Sequence, residues 1–145
     1  MNLDDNELRQ AYAVMESYKE RVEALSRQIQ VLRMSLDEVN LAAGALNAFK
    51  DAKEGDEIMV PIGAQSLITV KVTSNKNAVV GVGAGVSVEK SVDDAIAYME
   101  ANGAEITEAL KKTSSVLGEA QQALSTLSQA VQQEYAARQQ AASKQ

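Results

Sequence analysis

The sequence predicts an α+β fold in which a long antiparallel helical coiled-coil hairpin carries two β-hairpins inserted between its helices. Three observations predict it. Apolar residues from Leu8 to Leu46 recur with spacings that alternate three and four for six heptads. The chain then changes to period two, with β-branched residues broken by turn signals, over residues 57–90. From Ile96 to Glu134 the three-four spacing returns over a matching length. Two equal arms flanking a compact insert are expected to fold back on each other.

The first helix is expected over residues 4–50. The Asp4-x-x-Glu7 spacing is that of a capping box and sets carboxylates against the positive end of the helix dipole. With Leu8 as heptad position a, the a residues are Leu8, Met15, Val22, Ile29, Leu36 and Ala43. The d residues are Ala11, Tyr18, Leu25, Leu32, Val39 and Leu46, so no charged side chain interrupts the seam. A strict three-four alternation keeps one narrow stripe on a partner helix, which a 3.6-residue globular helix does not sustain. At ~1.5 Å per residue the arm is roughly 60 Å long. The stretch Asp51 to Asp56 loses the heptad and supplies Gly55, which places a turn there.

Ile58, Val60 and Ile62 alternate, as do Ile68, Val70 and Val72, with Thr69, Lys71 and Thr73 on the opposite face. Gly63 to Ser66 turns the first strand back on the second. Ser74 to Asn77 forms the next turn, and a second pair follows as Ala78 to Val82 and Val86 to Lys90, joined by Gly83-Ala84-Gly85. Four short strands with few large side chains bury little by themselves. Another chain is therefore expected to cover their face or edge.

The second helix is expected over residues 92–138, with Ser91 as N-cap and Asp93 and Asp94 in its first turn. Its seam reads Ile96, Met99, Gly103, Ile106, Leu110, Thr113, Leu117, Ala120, Leu124, Leu127, Val131 and Glu134. Setting Leu46 opposite Ile96 puts Val39 against Gly103, Met15 against Leu127 and Ala11 against Val131. A shift of one heptad would keep the same periodicity. Residues after Tyr135 carry no seam and are expected to fray.

The 145 residues, with one proline, are expected to form a single domain, 1–145. Hydrophobic residues make up 46 % but aromatics only 3 %, which suits helix seams better than a thick globular interior. A net charge of −6 and no basic run beyond Lys111 and Lys112 argue against nucleic-acid or anionic-membrane partners. No stretch approaches the roughly 18 apolar residues of a membrane span, and acidic Asp4 to Glu7 has the wrong sign for a signal peptide. A soluble intracellular protein is expected.

Histidine and cysteine are absent, which removes His-dependent triads, Cys nucleophiles and His- or Cys-ligated zinc. The carboxylate clusters Asp4, Asp5, Glu7 and Asp93, Asp94 sit at helix starts, where the dipole alone accounts for them. Gly81-Val-Gly-Ala-Gly85 precedes a strand rather than a helix, so it suits a hairpin rather than a phosphate cradle. No catalytic residue, metal site or cofactor is expected. The free end of the helical hairpin gathers Leu3, Leu8, Tyr12, Met15, Val131 and Tyr135. Its tyrosines sit beside the seam, where two accounts compete: they shield the last seam layers, or they form an adaptable apolar tip that binds exposed hydrophobic segments of other proteins.

A helix, two β-hairpins and a returning helix of equal length resemble the alpha-class subunit of archaeal-type prefoldin. The likeness is sharpest at Val60-Pro-Ile-Gly-Ala64 and Val79-Val-Gly-Val-Gly-Ala-Gly85, followed by Val88-Glu-Lys90 and Ala95-Ile-Ala-Tyr-Met99. Family members commonly carry aromatic residues around the second strand and after the glycine run. This chain reads Leu67-Ile-Thr-Val70 and Val86-Ser87 there. The resemblance implies a cytoplasmic hexamer of two alpha and four beta-class subunits, in which the strands assemble into intersubunit β-barrels. Ile58, Val60, Ile62, Ile68, Val70, Val72, Val80, Val82, Val86 and Val88 would then include the assembly contacts. It also implies an ATP-independent holdase, not an enzyme, whose coiled-coil tips hold unfolded or nascent polypeptides and pass them to a group II chaperonin. That raises the tip-binding account above shielding. The alternative is a structural spacer or filament subunit in which the same strands join chains and the tips hold no client.

Overall fold

The computed structural model describes residues 3–144. In chain order they form α1 (Asp5–Asp51), β1 (Glu57–Gly63), β2 (Ser66–Lys71), β3 (Asn77–Gly83), β4 (Val86–Ser91) and α2 (Val92–Ser143). Contacts divide them into two compact units. One combines the chain up to Leu32 with the chain from Ala109, and the other is Arg33–Glu108.

In the first unit α1 opens with the expected capping box. The Glu7 N–H donates to Asp4 Oδ1 at 2.7 Å, and the Asp4 N–H donates to Glu7 Oε2 at 2.8 Å. Two amides left without intrahelical acceptors are thereby satisfied. Leu8, Met15 and Ile29 of the α1 seam are buried, as are Thr113, Ala120, Val131 and Glu134 of α2. The last turns of α2 differ from expectation: the helix runs past Tyr135 and residue 138 to Ser143. Alanine and glutamine there are good helix formers, and Arg138 ties this stretch to α1 through Asp5 and the Leu3 carbonyl.

In the second unit the two helices are antiparallel, and the expected facing of Val39 and Gly103 is present. A Cβ built on Gly103 would lie 3.7 Å from Val39 Cγ1 and 3.9 Å from Leu36 Cδ1, which is ordinary contact. Replacing Gly103 with alanine should therefore fill the seam without strain and remove a helix-interior glycine. We expect Gly103→Ala to raise stability by about 1 kcal/mol, read as a higher midpoint in thermal circular dichroism at fixed protein concentration. A lowered midpoint would show that the seam has no room for a methyl group.

The helix ends are fastened around the strands. Asn75, between the hairpins, donates from Nδ2 to the Lys50 and Ala52 carbonyls at 3.0 and 2.7 Å, capping the end of α1. Ser91 Oγ accepts the Asp94 N–H at 3.2 Å, the expected N-cap of α2. Lys50 Nζ reaches Asp93 at 2.8 Å, and Lys90 Nζ lies 5.5 Å from the Tyr98 ring centroid.

The strands form two separate two-stranded antiparallel sheets, β1 with β2 and β3 with β4. The hairpins repeat each other at an offset of 20 residues, with Val60 opposite Ile68 in one and Val80 opposite Val88 in the other. Each has a register irregularity just before its turn, between Pro61 and Gly63 and between Gly81 and Gly83. Each turn has two central residues at positive φ: Ala64 and Gln65, then Ala84 and Gly85. That mirror-image geometry matches the twist of paired strands. Glycine meets its steric demand at position 85, whereas Gln65 carries the demand with a side chain.

Candidate functional site

Two surfaces gather the side chains singled out by sequence. The first, in the unit built from both helix ends, is a cleft of about 520 Å³ lined by Asp5, Leu8, Arg9 and Tyr12 of α1 and Tyr135 and Arg138 of α2. The structure thus brings Tyr12 and Tyr135 together across the helix pair, each about half exposed at 47 % and 48 %. The other expected tip residues behave differently. Leu8, Met15 and Val131 are buried seam residues, and Leu3 is half-buried. Seam positions face the opposite helix, so apolar side chains there are covered as long as the helices stay paired.

Arg138 organises the rim of this cleft. Its Nη1 donates to Asp5 Oδ1 at 2.6 Å, Nη2 to the Leu3 carbonyl at 2.7 Å, and Nε to Glu134 Oε1 at 3.2 Å. The hydrogen bond to Asp5, and after it the one to Glu134, holds the guanidinium above its ordinary pKa. Glu134 itself is only 5 % exposed. None of Asp5, Glu134 and Arg138 was among the expected tip residues, although a carboxylate at a seam position was a visible irregularity.

Alongside lies an apolar groove of about 680 Å³, walled by Val14 and Tyr18 of α1 and by Ala123, Leu127 and Ala130 of α2. Small side chains on α2 leave the hollow, and Val14 flanks it from a position next to the seam. Sequence reasoning did not single out Val14, which lies outside the seam positions.

The second surface is the pair of hairpins. Ile62, Ile68, Val82, Val86 and Val88 are exposed, and Ile58, Val60 and Val70 are half-buried. Two expected assembly contacts differ. Val80 is 2 % exposed and Val72, one residue beyond β2, is 4 % exposed, so both pack within the chain. Val72 is held there by its N–H to the Asp56 carbonyl at 2.9 Å and by its carbonyl, which accepts the Gly55 N–H at 2.7 Å. The opposite faces are also apolar: Met59, Leu67 and Val79 are exposed, Val79 at 72 %. Period-two reasoning assigns one apolar face per hairpin and so missed these three. Leu41 of α1 joins Pro61 and Leu67 around a further cleft of about 380 Å³.

Among the described residues no group of three or more Asp or Glu side chains is arranged to hold a metal ion. No helix among them is long and apolar enough to cross a membrane.

Comparison with known proteins accounts for this architecture. The family model described as prefoldin subunit matches residues 18–137. A prefoldin subunit alpha of Archaeoglobus fulgidus is 32 % identical over 136 residues, covering 94 % of this chain and 96 % of the relative. That of Methanothrix thermoacetophila is 34 % identical over 108 residues, covering 74 % and 71 %. Among solved structures, the prefoldin beta subunit from Thermococcus strain KS-1 superposes with a TM-score of 0.58 at 14 % identity, covering 92 % of this chain and 96 % of that one. A filamentous prefoldin from Methanocaldococcus jannaschii gives 0.52 at 23 %, covering 86 % and 98 %. At these identities the structures speak for the fold, while the sequence relatives speak for the family. Two long helices around two β-hairpins, matched over most of their length by archaeal alpha subunits, place the chain in the prefoldin family of chaperones.

Proposed function

We propose that this chain is the alpha-class subunit of a cytoplasmic, ATP-independent holdase, assembled through its hairpins with beta-class prefoldin subunits in a hexamer of two alpha and four beta. Its helix ends capture unfolded or nascent polypeptides and pass them to a group II chaperonin. The observation that carries this reading is the pair of two-stranded sheets with apolar side chains exposed on both faces. A two-stranded sheet has unpaired backbone groups on both outer edges, so each hairpin is a template for strands of another chain. The helix ends supply the other half, an exposed tyrosine pair and an apolar groove open to segments of varied sequence. Binding through many weak apolar contacts, repeated over several arms, retains a client without bond-making chemistry.

Native mass spectrometry of the complex recovered on a tagged copy of this chain tests the assembly. The recovered complex is then tested for suppression of aggregation of a chemically unfolded protein without ATP. A discrete hexamer with two copies of this chain and four of a smaller coiled-coil partner, active in that assay, is expected. The filamentous structural neighbour favours a second reading, a filament subunit. A polydisperse ladder of this chain alone, inactive toward the client, would establish that reading instead.

A further inference from the structure

We propose that Arg138, Glu134 and Asp5 form a clasp that holds the helix ends closed, and that opening it admits client segments to Leu8, Met15 and Val131. This rests on the reading that clients bind at these ends. Glu134 occupies the seam position after Leu127 and Val131, where an apolar residue would extend the packing. It is buried instead as a carboxylate, and its Oε2 accepts no hydrogen bond from the described residues. A buried carboxylate is tolerated only when paired. Its partner is Arg138, one helical turn away. The same guanidinium crosses to α1, donating to Asp5 Oδ1 and the Leu3 carbonyl.

One side chain thus neutralises the buried charge and ties the two helices together. If Arg138 lets go, Glu134 is left buried and unpaired, and it can regain water only if the helix ends part. The closed arrangement is therefore conditional, which a leucine at position 134 would not make it. What closure hides is the apolar set Leu8, Met15 and Val131, all buried. Asp5 is exposed, so its part of the clasp is screened by salt.

Hydrogen exchange of the full chain in its native assembly, followed by mass spectrometry, reads the opening without any client. Arg138→Gln should lower protection of amides in 8–15 and 127–135 by about tenfold and should increase suppression of client aggregation. Glu134→Leu should do the opposite, raising protection at these amides and weakening capture. Added salt should lower protection in the natural chain and have less effect in Asp5→Asn, which lacks the exposed ion pair that salt screens. Unchanged protection in Arg138→Gln, or lowered protection in Glu134→Leu, overturns the clasp. Protection that moves as expected while capture stays constant overturns the access half of the proposal. A natural chain that captures no client at all is the failure of the holdase reading itself, and the exchange data still judge the clasp.

Discussion

Removing the residues before Met15 together with those after Leu127 is expected to abolish suppression of client aggregation while the complex keeps its full mass. The truncation takes away Leu8, Tyr12, Val131 and Tyr135, hence both tyrosines of the cleft and the seam layers beneath them. Burying a large apolar side chain contributes about 1.5–3 kcal/mol, so a client loses several such contacts at each of the two arms that this chain contributes to the proposed hexamer. Losses at separate arms compound, because avidity multiplies the affinities of linked contacts. Assembly is spared because the hairpins belong to the unit Arg33–Glu108, which the truncation leaves whole. Static light scattering of a diluted, chemically unfolded client measures capture, and native mass spectrometry measures assembly. Undiminished suppression by a truncated complex of full mass would remove the helix ends from the client site and direct attention to the remaining surfaces.

Val82→Asp should dissociate the complex without unfolding the chain. Val82 is exposed on β3, at the register irregularity between Gly81 and Gly83. In the free chain the new carboxylate stands in water, so helix content by circular dichroism should not change. Covered by another chain, it would be a buried charge without a partner, which costs about 3–5 kcal/mol at each interface. Val70→Asp tests the first hairpin in the same way, but Val70 is half-buried in the chain and some local destabilisation accompanies its loss. Substituting Val80 would be uninformative, since its burial within the chain confounds folding with assembly. A full-sized complex of Val82→Asp by light scattering would show that this position lies outside the contacts between chains.

The one-dimensional pattern determined the elements of this protein, because coiled-coil seams and hairpins are both set by local periodicity. Seam residues recur every three or four positions and strand residues every two, and each period names its own backbone geometry. The capping box at Asp4 and Glu7, the N-cap at Ser91 and the facing of Val39 and Gly103 followed from that logic. The two tyrosines beside the seam were also legible, being bulky residues just outside a narrow apolar stripe.

Tertiary structure alone decided which apolar residues are available. Leu8, Met15 and Val131 have the composition of a binding tip but are covered by the opposite helix, and Val72 and Val80 are absorbed into the chain's own packing. Met59, Leu67 and Val79 lie exposed on faces that alternation assigned to solvent. The meeting of Arg138 with Asp5, 133 positions away, had no local signal. Nor did Asn75, which caps a helix that ends more than twenty residues earlier. Periodicity reports the face on which a side chain lies. Which face is covered, and which distant partner a polar group finds, depends on contacts between segments far apart in the chain, and those exist only once the helices and hairpins have packed.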